Sequence, residues 1–388
     1  MIYLDYSATS PLLPEVKAKL TEVMNLDLGN PSSLHSSGQT AKNLLNEARS
    51  QIATLIEARP LSLIFTSGGS ESNNTVVKTF AGCPIFVSAI EHPSVLKPAE
   101  FCGSPCIKIP VNEQGIIDLG FLKTELEKTA EQTPNPKILV SVMLANNEVG
   151  AIEPVAAIAS LIADLKKRYK AKIYLHTDAT QAVGKIPVSV QDLGIDYLTF
   201  TSHKLGGPVG IAALYVKPGS PFTPLIMGGE QENKRRAGTS NALLASGFGT
   251  ACALAQKNLD KYQEVEKLRN YLLKNIKAKI KSSLIITPKN SLPNILNVSF
   301  PAAEGESTQL YLDLEGIEVS TGSACASGDL EPSHVLMAMY HDAEIAHGSV
   351  RFSLGLHTTK SELDALLKKL PGIIAKIQDL STIKQGKS

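Results

Sequence analysis

The sequence predicts an α/β fold: a mostly parallel seven-stranded sheet with helices on both faces, joined to a smaller α+β region. Short β-rich runs alternate with helix-like segments through the middle of the chain, which is typical of βα units. Near Thr250 this alternation gives way to long helical sequence. The 388 residues leave room for two domains. We place the larger domain at 14–256 and the smaller one at 1–13 together with 257–388.

The strands of the predicted sheet are short runs of apolar and β-branched residues. We expect them over 63–66, 85–88, 107–110, 138–143, 173–177, 197–201 and 210–216. Between them, 72–81 and 155–169 have the periodicity of amphipathic helices. Because helices separate successive strands, most neighbouring strands must run parallel.

The remaining third of the chain predicts the smaller α+β domain. We expect a long amphipathic helix over 242–279, strands over 295–300 and 349–354, and a final helix over about 359–370. The final helix opens with Thr359 and Glu362, which have the spacing of a capping box. The polar terminus, 381–388, is expected to be frayed.

Composition and charge argue against several classes of function. Lys and Arg number 38 against 37 Asp and Glu, for a formal net charge of +1, so nothing indicates nucleic acid or an anionic membrane as a partner. No stretch approaches about 18 consecutive apolar residues, so we expect no transmembrane helix. The first residues lack the basic and apolar regions of a signal peptide.

The cysteines predict neither disulfides nor a metal site. Five is an odd number in a long chain, which favours a reducing, cytoplasmic setting over a disulfide framework. Cys102 and Cys106 form a C-x3-C pattern, but no second pair or nearby histidine run completes a zinc site. We interpret these two, with Cys83 and Cys252, as ordinary semi-buried thiols and expect no bound metal.

The stretch that carries the most chemistry follows the strand at 197–201. His203 and Lys204 come directly after this strand and before a Gly-Gly-Pro turn, and Asp178 ends the preceding strand. A lysine at a strand end often only reaches to water. Lysine together with a strand-end aspartate, however, is the pair that pyridoxal phosphate (PLP) needs. The lysine forms a Schiff base with the aldehyde, and the aspartate keeps the pyridine nitrogen protonated.

Residues after the other strands are candidates too, because ligands of open α/β sheets bind beyond the carboxyl ends of the strands. Gly69 and Ser70 precede a helix, where they can bind a phosphate or simply form a tight turn. His92 can stack on a planar ring or be a plain loop residue. Asn147 can hold polar groups of a ligand or form a turn. Gln181 shares a face with the strand-end aspartate if a helix begins there.

With these residues in place, nearly the whole chain resembles the cysteine desulfurases of the class V aminotransferase group. The resemblance rests on residues 3–9 (Tyr-Leu-Asp-Tyr-Ser-Ala-Thr), 29–33 (Gly-Asn-Pro-Ser-Ser), 178–181 (Asp-Ala-Thr-Gln), 202–204 (Ser-His-Lys), 235–239 (Arg-Arg-Ala-Gly-Thr), 323–325 (Ser-Ala-Cys) and 350–355 (Val-Arg-Phe-Ser-Leu-Gly). The chain departs at 228–233, where many members read Gly-Gly-Gly-Gln-Glu-Arg and this one reads Gly-Gly-Glu-Gln-Glu-Asn. The resemblance implies PLP-dependent transferase fold type I and the conversion of L-cysteine to L-alanine.

The resemblance also implies a role for each candidate around the cofactor ring. Lys204 would hold PLP and later move protons. Asp178 would pair with the pyridinium nitrogen and Gln181 with the phenolic oxygen. His92 would stack on the ring and act as an acid–base group, and Asn147 would hold a ring oxygen and the substrate carboxylate.

For the phosphate and the substrate, the resemblance implies residues from both subunits of a homodimer with shared active sites. The phosphate is expected at Gly69, Ser70, Thr201 and His203, with Thr239 contributed by the other subunit. Arg351 would bind the α-carboxylate of L-cysteine, with Asn30 nearby. Arginine suits this role because its guanidinium can bond both carboxylate oxygens.

Cys325 carries the distinguishing chemistry. It lies in a run of mostly small residues, 320–329, which cannot build a core and is therefore expected to be mobile. With no large apolar neighbours in sequence, this cysteine is either catalytic or a plain exposed thiol. By the resemblance, its thiolate attacks the substrate sulfur and keeps a persulfide. A mobile loop would then deliver that sulfur to an acceptor protein, such as an iron–sulfur scaffold or a thiolation carrier.

The sequence is also compatible with other functions. A PLP-dependent cysteine or cystine C–S lyase, or a selenocysteine lyase, has the same fold and does not require Cys325. A class V aminotransferase would need two keto acids and no Cys325. Retention of Lys204 and Asp178 argues against a non-catalytic sulfur scaffold. A dinucleotide-dependent oxidoreductase is disfavoured because 67–70 lack the G-x-G-x-x-G pattern.

Overall fold

A computed structural model describes residues 1–132, 136–322 and 332–380. Its strands are β1 (Ile2–Tyr3), β2 (Leu63–Thr66), β3 (Ile85–Ser88), β4 (Cys106–Ile109), β5 (Lys137–Ser141), β6 (Lys172–Asp178), β7 (Tyr197–Thr201), β8 (Ala212–Val216), β9 (Leu284–Ile285), β10 (Ile295–Ser299), β11 (Ile317–Glu318) and β12 (Ser349–Ser353). Its α-helices are α1 (Pro14–Met24), α2 (Ser36–Leu55), α3 (Gly69–Thr79), α4 (Pro93–Phe101), α5 (Leu119–Gln132), α6 (Val155–Tyr169), α7 (Gln231–Lys234), α8 (Ala242–Asn258), α9 (Tyr262–Lys279), α10 (Gly305–Leu314), α11 (His334–Tyr340), α12 (Ala343–His347) and α13 (Lys360–Leu380). Among these helices, none is long and apolar enough to cross a bilayer.

The central sheet has seven strands in the order β2-β8-β7-β6-β5-β3-β4. Strand β8 runs antiparallel to both of its neighbours, and the other described pairs in this sheet are parallel. The predicted α/β class and the mostly parallel seven-stranded sheet are therefore confirmed. Individual strand limits differ from the expected ones by one or two residues, most at β5, which ends at Ser141 rather than at 143, and at β8, which begins at Ala212 rather than at 210.

Both faces of the central sheet are buried, because successive strand residues point into different cores. In β7, Tyr197 packs with Phe80 of the α3 side, whereas Leu198 and Phe200 join the core that contains α2 and α8. Strand β2 divides in the same way, with Ile64 and Phe65 in the two cores. This explains why the strands read as continuous apolar runs rather than as alternating ones.

A second group of elements packs around its own apolar core. This core contains residues from the chain start and from the last third, such as Leu4, Leu272, Phe300 and Leu366. Strands β12, β10 and β9 form an antiparallel sheet there, and β1 pairs with β11 in parallel. The domain limits given above stay a prediction, since residues of the last third also belong to the core of the central sheet.

The prediction of a single helix over 242–279 is wrong. The structure has two helices, α8 and α9, separated by a 3-10 turn at Leu259–Lys261. Helix α8 buries Phe248 in the core of the central sheet, whereas α9 buries Leu272 in the second core. Because the two halves bury their apolar faces against different cores, a single straight helix could not bury both faces.

The capping box at the start of α13 is confirmed, but the expected end of the helix is not. Thr359 N donates to Glu362 Oε2 at 2.7 Å, and Glu362 N donates back to Thr359 Oγ1 at 3.3 Å. The helix continues past Pro371 to Leu380. A proline cannot donate to the carbonyl four residues earlier. Here that carbonyl, Leu367 O, accepts from Lys279 Nζ at 3.0 Å, so α13 keeps it hydrogen-bonded.

Candidate active site

A cavity of about 530 Å³ opens at the carboxyl ends of the parallel strands. It brings together most of the residues singled out in the sequence, which follow β2, β3, β5, β6 and β7 or come from β12: Gly69, Ser70, His92, Asn147, Asp178, Gln181, Thr201, His203, Lys204 and Arg351. Parallel strands end at one edge of a sheet, so residues far apart in the chain meet there.

Lys204 lies in the short 3-10 turn that follows β7 and lines this cavity. Its Nζ donates to the carbonyl oxygens of Ser7 at 2.6 Å and Ala8 at 2.5 Å. Burial, followed by the cationic Arg351, lowers the pKa of Lys204 to about 8, although Asp5 and Asp178 act in the opposite direction. About a tenth of this amine is therefore uncharged and nucleophilic at pH 7, far more than for an exposed lysine.

Asp178 is buried at the end of β6, and both of its carboxylate oxygens are oriented by neighbours. Asn73 Nδ2 donates to Oδ2 at 2.7 Å, and Thr180 N donates to Oδ1 at 2.9 Å. Behind it, burial lowers the pKa of His176 to about 4, so this imidazole is neutral. No sequence pattern indicated Asn73, because only the packing of α3 against the sheet brings it to Asp178.

Several buried polar atoms in the cavity wall have no hydrogen-bond partner among the described residues. They are Ser7 Oγ, Thr180 Oγ1, Gln181 Oε1 and Thr201 Oγ1. A Cβ added at Gly69 would come within 3.0 Å of Thr201 Cγ2, so a side chain there would press against this hydroxyl residue. Buried polar atoms normally have partners, and this group therefore indicates a polar ligand.

Two histidines of the cavity are held in the neutral form. His92 caps α4, and its Nδ1 accepts from Ser94 N at 3.1 Å. Neutral His92 must then carry its proton on Nε2. Burial is the largest effect and lowers the pKa of His92, as do Lys204 and His334, whereas Asp178 acts in the opposite direction. Burial and the cation of Lys204 lower the pKa of His203 to about 4.

Arg351 extends from β12 into the cavity wall with its side chain only 6% exposed. Its Nη2 bonds Asp5 Oδ1 at 2.8 Å, and its Nη1 donates to Asn147 O at 3.0 Å. Its Nε is buried without a partner among the described residues. The guanidinium is thus fixed in place while keeping unused donor capacity.

The structure does not bring every candidate into this cavity. Asn30 is exposed outside the lining residues and accepts from Ser32 N through its own side chain at 2.9 Å. Thr239 is also exposed, in a segment tied to α3 by the ion pair of Arg236 with Glu71 at 2.9 Å. The roles expected for Asn30 and Thr239 stay predictions. Cys325 lies within 323–331, outside the described residues.

The cavity also contains residues that the sequence did not single out. Glu148, Ser333 and His334 form one side of its wall. Burial raises the pKa of Glu148, while His334, the bond from Ser333 and the cation of Arg351 act against that rise. In the sequence, Glu148 is one polar residue in a segment that follows a strand, and no sequence pattern indicates that it contacts Ser333.

Known proteins resemble this chain over nearly its whole length. The family of class-V aminotransferases matches residues 2–366. The cysteine desulfurase IscS of Dictyoglomus turgidum is 44% identical, covering 99% of this chain and 97% of that protein. The cysteine desulfurase NifS of Azotobacter vinelandii is 38% identical over 99% of this chain and 95% of its own length.

A solved structure gives the same result at the level of the fold. The X-ray structure of a NifS-like protein from Rickettsia africae superposes with a TM-score of 0.87 at 36% identity, covering 98% of this chain and 99% of that one. The chain therefore belongs to the class-V aminotransferase family and, within it, to the cysteine desulfurases. The family predicted from the sequence motifs is confirmed.

Proposed function

We propose that this cysteine desulfurase binds PLP at Lys204, converts L-cysteine to L-alanine, and leaves the sulfur as a persulfide on Cys325. The observation that carries the proposal is that Lys204 and Asp178 line the same cavity. There, an amine whose pKa is lowered to about 8 and an oriented buried carboxylate, Asp178, lie in one pocket. These are the two groups that PLP chemistry requires from a protein.

The residues present fit PLP in chemical type. The unpartnered Thr201 and Gln181 atoms, together with neutral His203, supply polar groups for a phosphate and a phenolic oxygen. Gly69 begins α3, whose N-terminal N–H groups favour an anion. Asp178 presents a negative charge suited to a protonated pyridine nitrogen.

When bound, PLP supplies an electron sink that stabilises negative charge at the α-carbon of an amino acid. The protein supplies the rest. Lys204 Nζ, uncharged in part at neutral pH, provides the attachment point and afterwards accepts the α-proton. Asp178 keeps the ring nitrogen protonated, which strengthens the sink. His92, with its proton on Nε2, can donate that proton at the cavity mouth.

Arg351 and Asn147 orient the substrate. Arg351 is held by Asp5 and by Asn147 O, and it retains an unpartnered Nε for the α-carboxylate of L-cysteine. This fixes one end of the substrate against β12 and leaves its thiol free to face another part of the wall. Orientation of this kind lowers the entropic cost of reaction.

In the sulfur step, the Cys325 thiolate forms an S–S bond with the substrate sulfur while the Cβ–S bond breaks. The electron pair of the broken bond ends on Cβ, which takes up a proton to give L-alanine. The balance is one cysteine thiol plus L-cysteine giving one persulfide plus L-alanine. We further propose a homodimer in which Thr239 of each subunit completes the other's phosphate site, and a separate acceptor protein, such as an iron–sulfur scaffold, that takes the sulfur.

The proposal is tested by mass spectrometry of the intact protein after brief incubation with PLP and L-cysteine, with alanine measured alongside. We expect one added sulfur on Cys325 and a matching amount of alanine. Cys325→Ser should lose both. Cys102→Ser, which removes a half-buried thiol outside the cavity, should retain both.

Alanine or pyruvate formed equally by Cys325→Ser, with no added sulfur, would make the protein a C–S lyase. A protein that takes up no PLP, or that keeps a reducible link to PLP after Lys204→Ala, would contradict the cofactor assignment.

A further inference from the structure

Glu148 occupies a rigid position in the turn after β5. Its backbone N donates to Asn146 Oδ1 at 2.8 Å, and Asn297 Nδ2 donates to its carbonyl oxygen at 3.2 Å. The residue is 4% exposed. Because its main chain is bonded on both sides and its side chain is enclosed, the carboxylate has little freedom to move.

One oxygen of this carboxylate lies against two residues that are distant in sequence. Ser333 Oγ donates to Glu148 Oε2 at 2.5 Å. The Ser333 hydroxyl also accepts from Leu336 N at 3.2 Å, so its own proton is directed to Glu148. On the other side, a Cβ built at Gly322 would lie 2.3 Å from the same Oε2 and 3.2 Å from Ser333 Cβ. Gly322 and Ser333 therefore lie side by side at a single carboxylate oxygen.

This arrangement explains why residue 322 is a glycine. A side chain at 322 would occupy the space of Glu148 Oε2, since real Cβ contacts do not come as close as 2.3 Å. The glycine thus allows close approach rather than an unusual turn. Gly322, Ser333 and Glu148 all line the cavity, so their contact lies at its wall.

We propose that Glu148 is a positioning residue: it holds Ser333 by a hydrogen bond and packs against Gly322, and so fixes the distance between described residues on either side of segment 323–331. The proposal rests on the role proposed above for Cys325, which this segment carries. A nucleophile displaced by about 1 Å can lose about 100-fold in rate. Fixed flanking residues limit such displacement, while leaving the binding of the substrate carboxylate at Arg351 unchanged.

The test separates two stages of the reaction in the PLP-loaded enzyme. Stopped-flow absorbance follows the spectral change when L-cysteine binds, and rapid-quench mass spectrometry follows sulfur added to Cys325. Glu148→Ala removes the contact, whereas Glu148→Gln keeps an oxygen that can accept from Ser333. Gly322→Ala places a methyl group against Oε2 and is also combined with Glu148→Ala.

In Glu148→Ala we expect sulfur transfer to slow about 10- to 100-fold. The L-cysteine concentration for half of the spectral change should stay within about threefold of the wild-type value, because Arg351 is intact. Glu148→Gln should transfer sulfur within about threefold of wild type. Gly322→Ala should slow transfer alone but add little to Glu148→Ala, since the 2.3 Å contact with Oε2 is then gone and only the milder 3.2 Å contact with Ser333 Cβ remains. In the protein without PLP, backbone hydrogen exchange over 333–340 should be faster than in wild type for Glu148→Ala. It should be unchanged for Glu148→Gln and Gly322→Ala.

Sulfur transfer in Glu148→Ala at a rate within about twofold of wild type would overturn the proposal. Sulfur transfer in Glu148→Gln as slow as in Glu148→Ala would also overturn it. So would a double variant whose loss in rate is the product of the two single losses. If Glu148→Ala does not fold, Gly322→Ala tests the proposal instead, because it removes no side chain. An unchanged rate of sulfur transfer in Gly322→Ala then overturns the proposal. Wild-type protein that gains no sulfur on Cys325 would instead overturn the proposed function on which this one rests.

Discussion

Lys204 illustrates how opposing effects at one residue determine reactivity. Its amine lies near two carboxylates, Asp5 and Asp178, which favour the charged form, and near Arg351, which disfavours it. Burial is the largest effect, and the pKa falls to about 8 from the usual 10.5. A desolvated cation loses more from burial than it gains from partners at a distance. The residue can therefore act as a nucleophile without a separate base.

This pKa predicts how cofactor uptake depends on pH. In the protein freed of PLP, the rate of Schiff base formation with added PLP should rise with pH and level off above about 8. Asp5→Asn should move this midpoint to lower pH, because Asp5 favours the charged amine. The measurement is the absorbance change at a series of pH values.

N-α-acetyl-lysine, measured with PLP over the same pH range, controls for the titration of PLP itself. If the protein's midpoint coincided with that of this free lysine, the lowered pKa of Lys204 would be contradicted.

At the scale of elements, the helix pair α2 and α8 depends on a glycine. A Cβ at Gly249 would lie 2.6 Å from Ala48 Cα and 2.3 Å from Gln51 Oε1. The first of these atoms is backbone, so it cannot rotate away as a side chain would. The two helices can therefore pack this closely only with glycine at 249, and α8 in turn packs against the turn that carries Lys204.

Gly249→Ala should therefore lower the free energy of unfolding by about 1–3 kcal/mol, despite the better helix propensity of alanine. The measurement is chemical denaturation followed by circular dichroism. Gly372→Ala in α13 is the matched control, because a Cβ there meets nothing within 4 Å. It should raise stability by about 0.5–1 kcal/mol through propensity alone. Stability of Gly249→Ala equal to that of the control would rule out the tight contact.

For the whole molecule, buried carboxyl groups make stability depend on pH. Burial raises the pKa of Glu153 to about 8, and raises the pKa of Glu91 well above its usual value. Glu153 Oε2 accepts from Ile117 N at 3.1 Å, and Glu91 Oε1 accepts from Met143 N. Between pH 4.5 and about 8, the folded state holds a proton on Glu153 that the unfolded state releases. Stability must fall as pH rises through this window.

Glu153→Gln should remove this contribution, because an amide keeps the acceptor oxygen and does not ionise. The stability of the variant relative to wild type should rise by up to about 3 kcal/mol between pH 5.5 and pH 8. Urea denaturation at the two pH values measures it, and the other titrating groups cancel in the difference. A constant difference between the two proteins would show that Glu153 ionises normally in the folded state.

The sequence by itself determined the class of fold, the family and most of the cavity. Apolar runs that alternate with helical periodicity are local features, and they define the strands without knowledge of their neighbours. In parallel strands the carboxyl ends share one edge. Residues such as Lys204, Asp178 and His92 could therefore be placed together from their positions after strands alone.

Only the tertiary structure decided contacts between residues far apart in the chain. Asn73 bonds Asp178 across 105 positions, and Ser333 bonds Glu148 across 185. The helix expected over 242–279 divides because its halves face two cores, which no local pattern records. Such contacts depend on how whole elements pack, and packing is set by the combined shape of many side chains. No periodicity along the chain carries that information.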